Sequence, residues 1–186
     1  MAPPPSLLAL SAQVPGSRAL LAHCGSLSKV LSPGLRVGWM IAPADLLARA
    51  TMCKQFSDAH TSTFAQATAA QYLKAGRMPG TLAKVRAVYA ERARTMGEAL
   101  RTELGDAISF SQPGGGLFFW ARLTGAGGKV QDGNELAKRA IEKGVAFVPG
   151  TPFFASQPDH ATLRLSFATA DVAKIREGVA RLGQAL

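Results

Sequence analysis

The span of residues 25–39, GSLSKVLSPGLRVGW, constrains the fold and the chemistry of this chain more than any other stretch. It lies between two short apolar runs, residues 19–22 and 37–41. Short apolar runs bounded by Gly, Pro and Ser are typical of buried strands. We therefore expect a loop held between two strand ends, where a rigid scaffold can position reactive side chains.

Within this loop, four polar side chains form a candidate anion site: Ser26, Ser28, Lys29 and Arg36. A hydroxyl group donates one hydrogen bond, and a guanidinium binds a phosphate through two parallel ones. The Pro-Gly turn at 33–34 allows Arg36 to fold back toward the serines. A lysine amine beside a phosphate site is the arrangement that a Schiff base with a phosphorylated aldehyde requires. A basic surface turn is the alternative interpretation of the same residues.

The order of these residues, Ser-x-Ser-Lys-x-x-x-Pro-Gly-x-Arg-x-Gly-Trp, resembles the cofactor-lysine segment of fold-type-I pyridoxal-phosphate enzymes, the class I/II aminotransferases. The similarity is greatest to the branch that holds 2-aminoadipate-type aminotransferases and the aminotransferase-like domains of MocR regulators. The resemblance implies that Lys29 is the catalytic residue that binds pyridoxal 5'-phosphate covalently. It also implies that Ser26, Ser28 and Arg36 bind the cofactor phosphate.

Three segments of the second half resemble the same family in the same order: residues 112–120, 144–154 and 163–167. In the last of them, Leu-Arg-Leu-Ser-Phe, the resemblance implies that Arg164 binds the α-carboxylate of the substrate. A planar guanidinium matches a carboxylate, and a lysine would not replace it without loss. The alternation of the strand alone would instead favour an arginine on the solvent face.

The predicted fold is α/β, the C-terminal part of a pyridoxal-phosphate-dependent transferase. Residues 1–80 would be the end of the large-domain sheet, and residues 81–186 the interdomain helix and the small C-terminal domain. The long helix is expected at 81–104, where apolar residues form a stripe at helical spacing. Helical patterns also cover 44–54, 63–74, 134–143 and 169–182, and strand patterns cover 108–110, 117–123, 145–148 and 161–168.

Charge and composition narrow the choice of partners. The formal net charge is +9, from 21 basic and 12 acidic residues, but no run of like charges marks a nucleic-acid face, so we expect no nucleic-acid partner. Cys24 and Cys53 have no metal-ligand spacing, and they fit buried, reduced thiols of a cytoplasmic protein with no metal site. No stretch is long and apolar enough to predict a membrane span, and the N-terminus does not resemble a secretory signal.

These patterns predict an aminotransferase that moves an amino group between an amino acid and a 2-oxo acid, with a homodimer implied by the resemblance. The proline-rich residues 1–6 resemble a segment well inside the relatives, so a C-terminal half of a longer enzyme is expected. The family's acid for the pyridine nitrogen, its ring tyrosine, its stacking aromatic and its glycine-rich helix start do not occur in these 186 residues. Two alternatives remain: an effector-sensing domain of a MocR-type regulator, and an inactive fragment. Substrate side-chain specificity stays open.

Overall fold

The computed structural model describes residues 5–125 and 131–186 of the chain. Its contacts divide the chain into two units, Met1–Ala83 and Lys84–Leu186. Most of the proline-rich start lies outside the described residues. Both units combine helices and antiparallel strands, so the predicted α/β class is confirmed. Within the described residues, no helix has the length and apolarity needed to span a membrane.

The first unit contains a β-hairpin and two substantial helices. Strands β1 (His23–Ser26) and β2 (Gly38–Ile41) pair antiparallel, with His23 opposite Ile41 and Ser26 opposite Gly38. The helices are the short α1 (Leu7–Leu10), then α2 (Ala44–Asp58) and α3 (Thr63–Lys74). The second predicted strand is therefore confirmed at residues 38–41.

The strand predicted at residues 19–22 is wrong. Residues Ser17–Leu20 form a 3-10 turn, and the strand begins only at His23. Gly16 precedes the turn in the left-handed region, with φ of 77°. The Ser17 hydroxyl also donates to the carbonyl of Val14 at 2.8 Å. Such local side-chain bonds favour a turn over an extended chain.

The hairpin is not buried, contrary to expectation. Trp39, Met40 and Ile41 remain 46%, 40% and 45% exposed, and within the described residues β2 pairs only with β1. The two cysteines are also free and exposed, so the prediction of buried thiols is wrong. The apolar composition of a strand predicts burial, but it does not show whether another element packs on the face of the hairpin.

The two helices of this unit follow their sequence signals. Helix α3 has the predicted bounds, because the Ser62 hydroxyl accepts from the Ala65 N–H at 3.3 Å and Gly76 takes a positive φ of 66° just past its end. Helix α2 runs four residues beyond the predicted end. An ion pair between Lys54 and Asp58 at 2.8 Å, one helical turn apart, accompanies this extra turn.

The second unit is an antiparallel sheet with helices on one face. Its described strands are β3 (Ile108–Phe110), β4 (Phe118–Leu123), β5 (Val148–Pro149) and β6 (Thr162–Ser166), in the order β3-β4-β6-β5. Its helices are α4 (Met78–Leu104, which begins in the first unit), α5 (Gly133–Glu142) and α6 (Val172–Gly183). The long helix is thus confirmed, with its start three residues before the predicted one.

Two element boundaries in this unit differ from prediction. Of the strand expected at 145–148, only Val148 pairs with β6, because the Val145 N–H instead donates to the Ala140 carbonyl at the end of α5. The last helix begins at Val172 rather than at 169, because Asp171 is its N-cap. Its carboxylate accepts from the Lys174 N–H at 2.8 Å, as N-cap side chains do.

Alternation along the strands places one face of the sheet in the core. Phe119, Leu163 and Phe167 are at most 1% exposed, and Leu100 of α4 and Leu136 of α5 are fully buried with them. The Phe119 ring meets Phe110 and Phe167 edge-to-face, at centroid distances of 5.3 and 5.9 Å. The opposite face carries Phe118, Trp120 and Arg164 and stays open.

We expect this unit to lose stability in acid. The Arg122 guanidinium beside Asp159, at 2.7 Å, lowers the pKa of that carboxyl below its usual value, and hydrogen bonds from Asn134 lower the pKa of Asp132. A lowered pKa adds stability above about pH 4, which is lost as the pH falls through the folded-state pKa. Asp159→Asn should therefore weaken folding slightly at pH 7 and less at pH 2.

Urea unfolding at both pH values measures this effect. Because the ion pair is partly exposed, the loss at pH 7 should stay within about 1 kcal/mol. Glu98→Gln on the exposed side of α4 is the matched control. Equal destabilisation by Asp159→Asn at both pH values would contradict the titration argument.

Candidate functional site

The loop that connects the two strands of the hairpin holds four of the predicted site residues. Ser26 ends β1, Ser28 and Lys29 follow in the turn, and Arg36 lies just before β2. The Leu27 N–H donates to the Val37 carbonyl at 3.0 Å and closes the base of the loop. The antiparallel pairing thereby brings both ends of the loop to the same end of the hairpin.

A single buried leucine organises the turn. The Leu27 carbonyl accepts from the N–H groups of Val30, Leu31 and Ser32 at 3.3, 2.8 and 3.1 Å. Its side chain is 6% exposed. Because Leu27 turns inward and the chain winds around its carbonyl, the side chain of Lys29 lies outside, exposed to solvent.

The polar side chains of the loop are partly engaged with the backbone. The Ser26 hydroxyl oxygen accepts from the Ser28 N–H at 3.1 Å, which leaves the Ser26 hydroxyl hydrogen able to donate elsewhere. Arg36 adopts a left-handed conformation with φ of 54°, and one of its guanidinium nitrogens donates to the Pro33 carbonyl at 3.3 Å. The guanidinium has five N–H donors, so most of them stay available.

The indole of Trp39 covers Gly25 across the hairpin. A Cβ added at Gly25 would lie 2.2 Å from the indole ring, which no real contact allows. The two residues are direct partners in the strand register. Glycine at this position therefore permits the indole to lie against the strand that leads into the loop.

The fifth predicted residue, Arg164, lies in the second unit, on the open face of the sheet. In the register of β4 and β6 it is opposite Trp120, and on its other side it is opposite Val148 of β5. Its guanidinium carbon lies over the rings of Phe118 and Phe153, at 4.2 and 4.7 Å from their centroids. The side chain is half-buried among these rings.

Two further aromatic contacts complete this surface. Trp120 meets Phe153 edge-to-face at 5.6 Å and Phe154 at 6.1 Å. We call the open-face residues Phe118, Trp120, Phe153 and Phe154 the aromatic face. The four rings remain between 37% and 50% exposed, so they form a surface next to Arg164 rather than a closed core.

The first of the three family-like segments in the second half, residues 112–120, begins with an anchor to the long helix. The Gln112 amide donates to the Ala93 carbonyl of α4 at 3.1 Å and accepts from Arg101 at 3.3 Å. Of the three glycines that follow, Gly116 takes a positive φ of 82°. β4 begins after this turn and places Phe118 and Trp120 on the open face of the sheet.

Comparison with known proteins identifies the family. The sequence model of "Aminotransferase class I and II" matches residues 4–182, nearly the whole chain. The chain belongs to this family. The predicted transferase fold is thereby confirmed for this aminotransferase-family chain.

Several relatives match it along most of its length. A 2-aminoadipate transaminase from Thermus thermophilus is 44% identical over 184 residues, which are 98% of this chain and 44% of the relative. The HTH-type transcriptional regulator TauR from Rhodobacter capsulatus is 34% identical over 98% of this chain and 36% of the relative. The chain therefore spans less than half the length of these relatives.

Solved structures give the same result. The alpha-aminoadipate aminotransferase LysN of Thermus thermophilus, complexed with N-(5'-phosphopyridoxyl)-L-leucine, superposes with a TM-score of 0.88 and 42% identity. The match covers all of this chain and 46% of that structure. A kynurenine aminotransferase from Pyrococcus horikoshii has a TM-score of 0.83 and 34% identity, over 90% of this chain and 40% of that one.

Sequence analysis of this aminotransferase-family chain missed the two rings beside Arg164. Phe118 and Phe153 both lie in segments that resemble the family, 112–120 and 144–154, but the resemblance implies no role for either residue. The signal was present in the alternation of residues 118–123, which places Phe118 and Trp120 on one face. The contact itself depends on the register between β4 and β6, which the sequence does not show.

Proposed function

We propose that this chain carries the cofactor lysine, the phosphate-binding residues and the substrate arginine of a pyridoxal-phosphate-dependent aminotransferase. Such an enzyme moves an amino group from an amino acid to a 2-oxo acid. The observation that carries the proposal is the end of the hairpin, where one loop holds an amine, two hydroxyl groups and a guanidinium. The phosphopyridoxyl-leucine in the similar Thermus structure supports this class of ligand.

The donors of the loop fit a phosphate ester. Ser26 and Ser28 each have a hydroxyl hydrogen to donate, and Arg36 has several free N–H groups and a positive charge. A phosphate dianion offers only acceptor oxygens, so this set of donors is complementary to it. No carboxylate competes from within the loop, because residues 25–39 contain no Asp or Glu. We therefore assign phosphate binding to Ser26, Ser28 and Arg36.

Lys29 is assigned the covalent and proton-transfer roles. Its exposed amine, on the residue that follows Ser28, is available to hold the cofactor aldehyde. When bound, the cofactor supplies an aldehyde and an electron-accepting ring. Once the substrate amine has taken the place of the lysine, the free Lys29 amine would be the general base that moves the proton of the substrate α-carbon in the 1,3-proton shift of transamination.

Arg164 is assigned to the substrate carboxylate. Its N–H groups form a planar fork that matches the two oxygens of a carboxylate. No described carboxylate forms an ion pair with it, so this capacity is not used inside the part of the chain that the structure describes. All amino-acid and 2-oxo-acid substrates carry this carboxylate.

A comparison of two ligands tests the phosphate site. Pyridoxal phosphate should give a visible absorption band with the purified chain and bind more tightly than pyridoxal, which lacks the phosphate. Arg36→Gln should weaken the binding of pyridoxal phosphate about 10- to 100-fold, as expected for a lost charged hydrogen bond, and leave pyridoxal unchanged. Equal weakening for both ligands, or no preference in the wild-type chain, would refute the assignment.

The assembly and compartment form a further part of the proposal. We infer a homodimer, as the resemblance implies, and a cytoplasmic location. The two free, exposed thiols Cys24 and Cys53 support a reducing compartment, because exposed cysteines tend to oxidise elsewhere. We also propose that the first unit is the end of the large domain and the second unit the small domain. Light scattering on the purified chain measures the oligomeric state.

A second function is favoured by one group of relatives. TauR and the Bacillus subtilis regulator YdfD, which is 31% identical over 87% of this chain, are HTH-type transcriptional regulators. In this alternative, the same residues would bind the cofactor or an amine as an effector, with little turnover. A helix-turn-helix encoded upstream in the genomic sequence would favour the regulator. Measurable transamination by the purified chain would exclude an inactive fragment.

A further inference from the structure

Two arginines point to the open face of the same sheet, and their surroundings differ. Arg122 of β4 forms an ion pair with Asp159 at 2.7 Å. Arg164 of β6 has no carboxylate partner among the described residues and lies instead over two aromatic rings. The charge of Arg122 is therefore neutralised by Asp159. The Arg164 guanidinium is held by aromatic rings instead, so its charge stays available to an anion from outside the chain.

The two rings reach Arg164 from separate elements. Phe118 is the first residue of β4, and Phe153 ends the 3-10 turn that follows β5. Phe153 is in turn held by Trp120, the residue directly opposite Arg164 in the sheet. The guanidinium thus lies in a frame built from a strand and a loop, which restricts its rotamers more than a single contact could.

We propose that Phe118 and Phe153 are positioning residues that hold the Arg164 guanidinium for a carboxylate ligand. The inference rests on the proposed function, in which Arg164 binds the substrate carboxylate, and it names the groups that make this arginine effective. Neither ring touches the reacting atoms. Both act through Arg164.

The physical basis is the shape of the guanidinium. Its five N–H donors lie in one plane. An aromatic ring attracts the cation but is only a weak acceptor of hydrogen bonds from those N–H groups. A carboxylate from the protein would hold the side chain equally well but would occupy the same donors. Aromatic rings therefore orient the arginine and keep its fork free, and they reduce the entropy that is lost when the ligand binds.

Nuclear magnetic resonance on the purified 186-residue chain tests the proposal, with pyruvate as the probe. The guanidinium signal of Arg164, assigned by its loss in Arg164→Lys, is followed during the titration. Phe118→Leu and Phe153→Leu keep an apolar side chain but remove the ring. Each should raise the dissociation constant about two- to fivefold, the magnitude of one exposed cation–π contact. The double variant should raise it about 5- to 25-fold.

Two conservative variants separate positioning from packing. Phe118→Tyr restores the ring and should bind pyruvate like the wild-type chain. Phe154→Leu is the matched control, because its ring belongs to the aromatic face and contacts Trp120, but does not lie over Arg164. It should leave the dissociation constant within about twofold. Rotation about the Nε–Cζ bond of Arg164, measured without ligand, should speed up in the Leu variants of Phe118 and Phe153 only.

The outcomes distinguish this inference from the function on which it rests. If Arg164→Lys abolishes pyruvate binding but Phe118→Leu and Phe153→Leu bind like wild type, the rings are not positioning residues and the carboxylate role stands. If Arg164→Lys binds like wild type, or the wild-type chain gives no saturable shift, the carboxylate role falls and the inference falls with it. Unchanged circular dichroism spectra confirm that each variant is folded.

Discussion

Lys29→Ala should abolish covalent attachment of pyridoxal phosphate to this chain. Lys29 lies in the exposed turn that follows β1, one residue after Ser28 and in the same loop as Arg36. Alanine keeps the turn intact because the backbone bonds to the Leu27 carbonyl do not use the Lys29 side chain. The visible absorption band should disappear, while the phosphate donors remain in place.

Mass spectrometry after borohydride reduction measures the attachment directly and does not depend on turnover. The wild-type chain should carry the cofactor mass on the peptide that contains Lys29. Lys74→Ala is the control, because Lys74 is an exposed lysine in the last turn of α3 and lies outside the loop that holds Ser26, Ser28 and Arg36. Labelling distributed equally over several lysines in the wild-type chain would show that this amine has no special role.

Phe119→Ala should give the largest loss of folding stability. The side chain is fully buried and meets Phe110 and Phe167 edge-to-face. Truncation would remove the transfer free energy of a whole ring and leave a cavity between the sheet and its helices. Substitutions of this kind cost about 3–5 kcal/mol, which is a large part of the stability of a small domain.

The exposed Phe56 gives a matched comparison for this substitution. It is 84% exposed on α2, so Phe56→Ala removes the same atoms without opening a cavity. We expect a change within about 0.5 kcal/mol. Denaturant unfolding followed by circular dichroism measures both variants, and comparable losses in the two would mean that the packing of the second unit does not depend on Phe119.

Sequence signals predicted the elements whose ends are specified locally. Helix α3 was correct at both ends because Ser62 caps its start and Gly76 ends it. The long helix α4 was correct because its apolar stripe repeats over many turns. The run at 19–22 was wrong because four apolar residues carry no usable period, and the preceding Gly16 and Ser17 favoured a turn.

The candidate site divides in the same way. Its loop could be predicted from the order of Ser26, Ser28, Lys29 and Arg36, because these residues are close in sequence. The surroundings of Arg164 could not, because Phe118 and Phe153 reach it from 46 and 11 residues away in the chain. Their meeting depends on strand register and on the turn after β5, which are tertiary properties.

The turn after β5 has almost no space for a side chain at Gly150. Its N–H donates to the Thr162 carbonyl at 2.7 Å, and a Cβ at this position would lie 1.9 Å from the Thr162 hydroxyl oxygen. Phe153 follows three residues later, and Arg164 lies two residues beyond Thr162. Any side chain added at Gly150 would push the loop and the Phe153 ring away from the strand. A substitution at Gly150, which touches no ligand, would therefore change ligand preference at Arg164 in evolution or engineering.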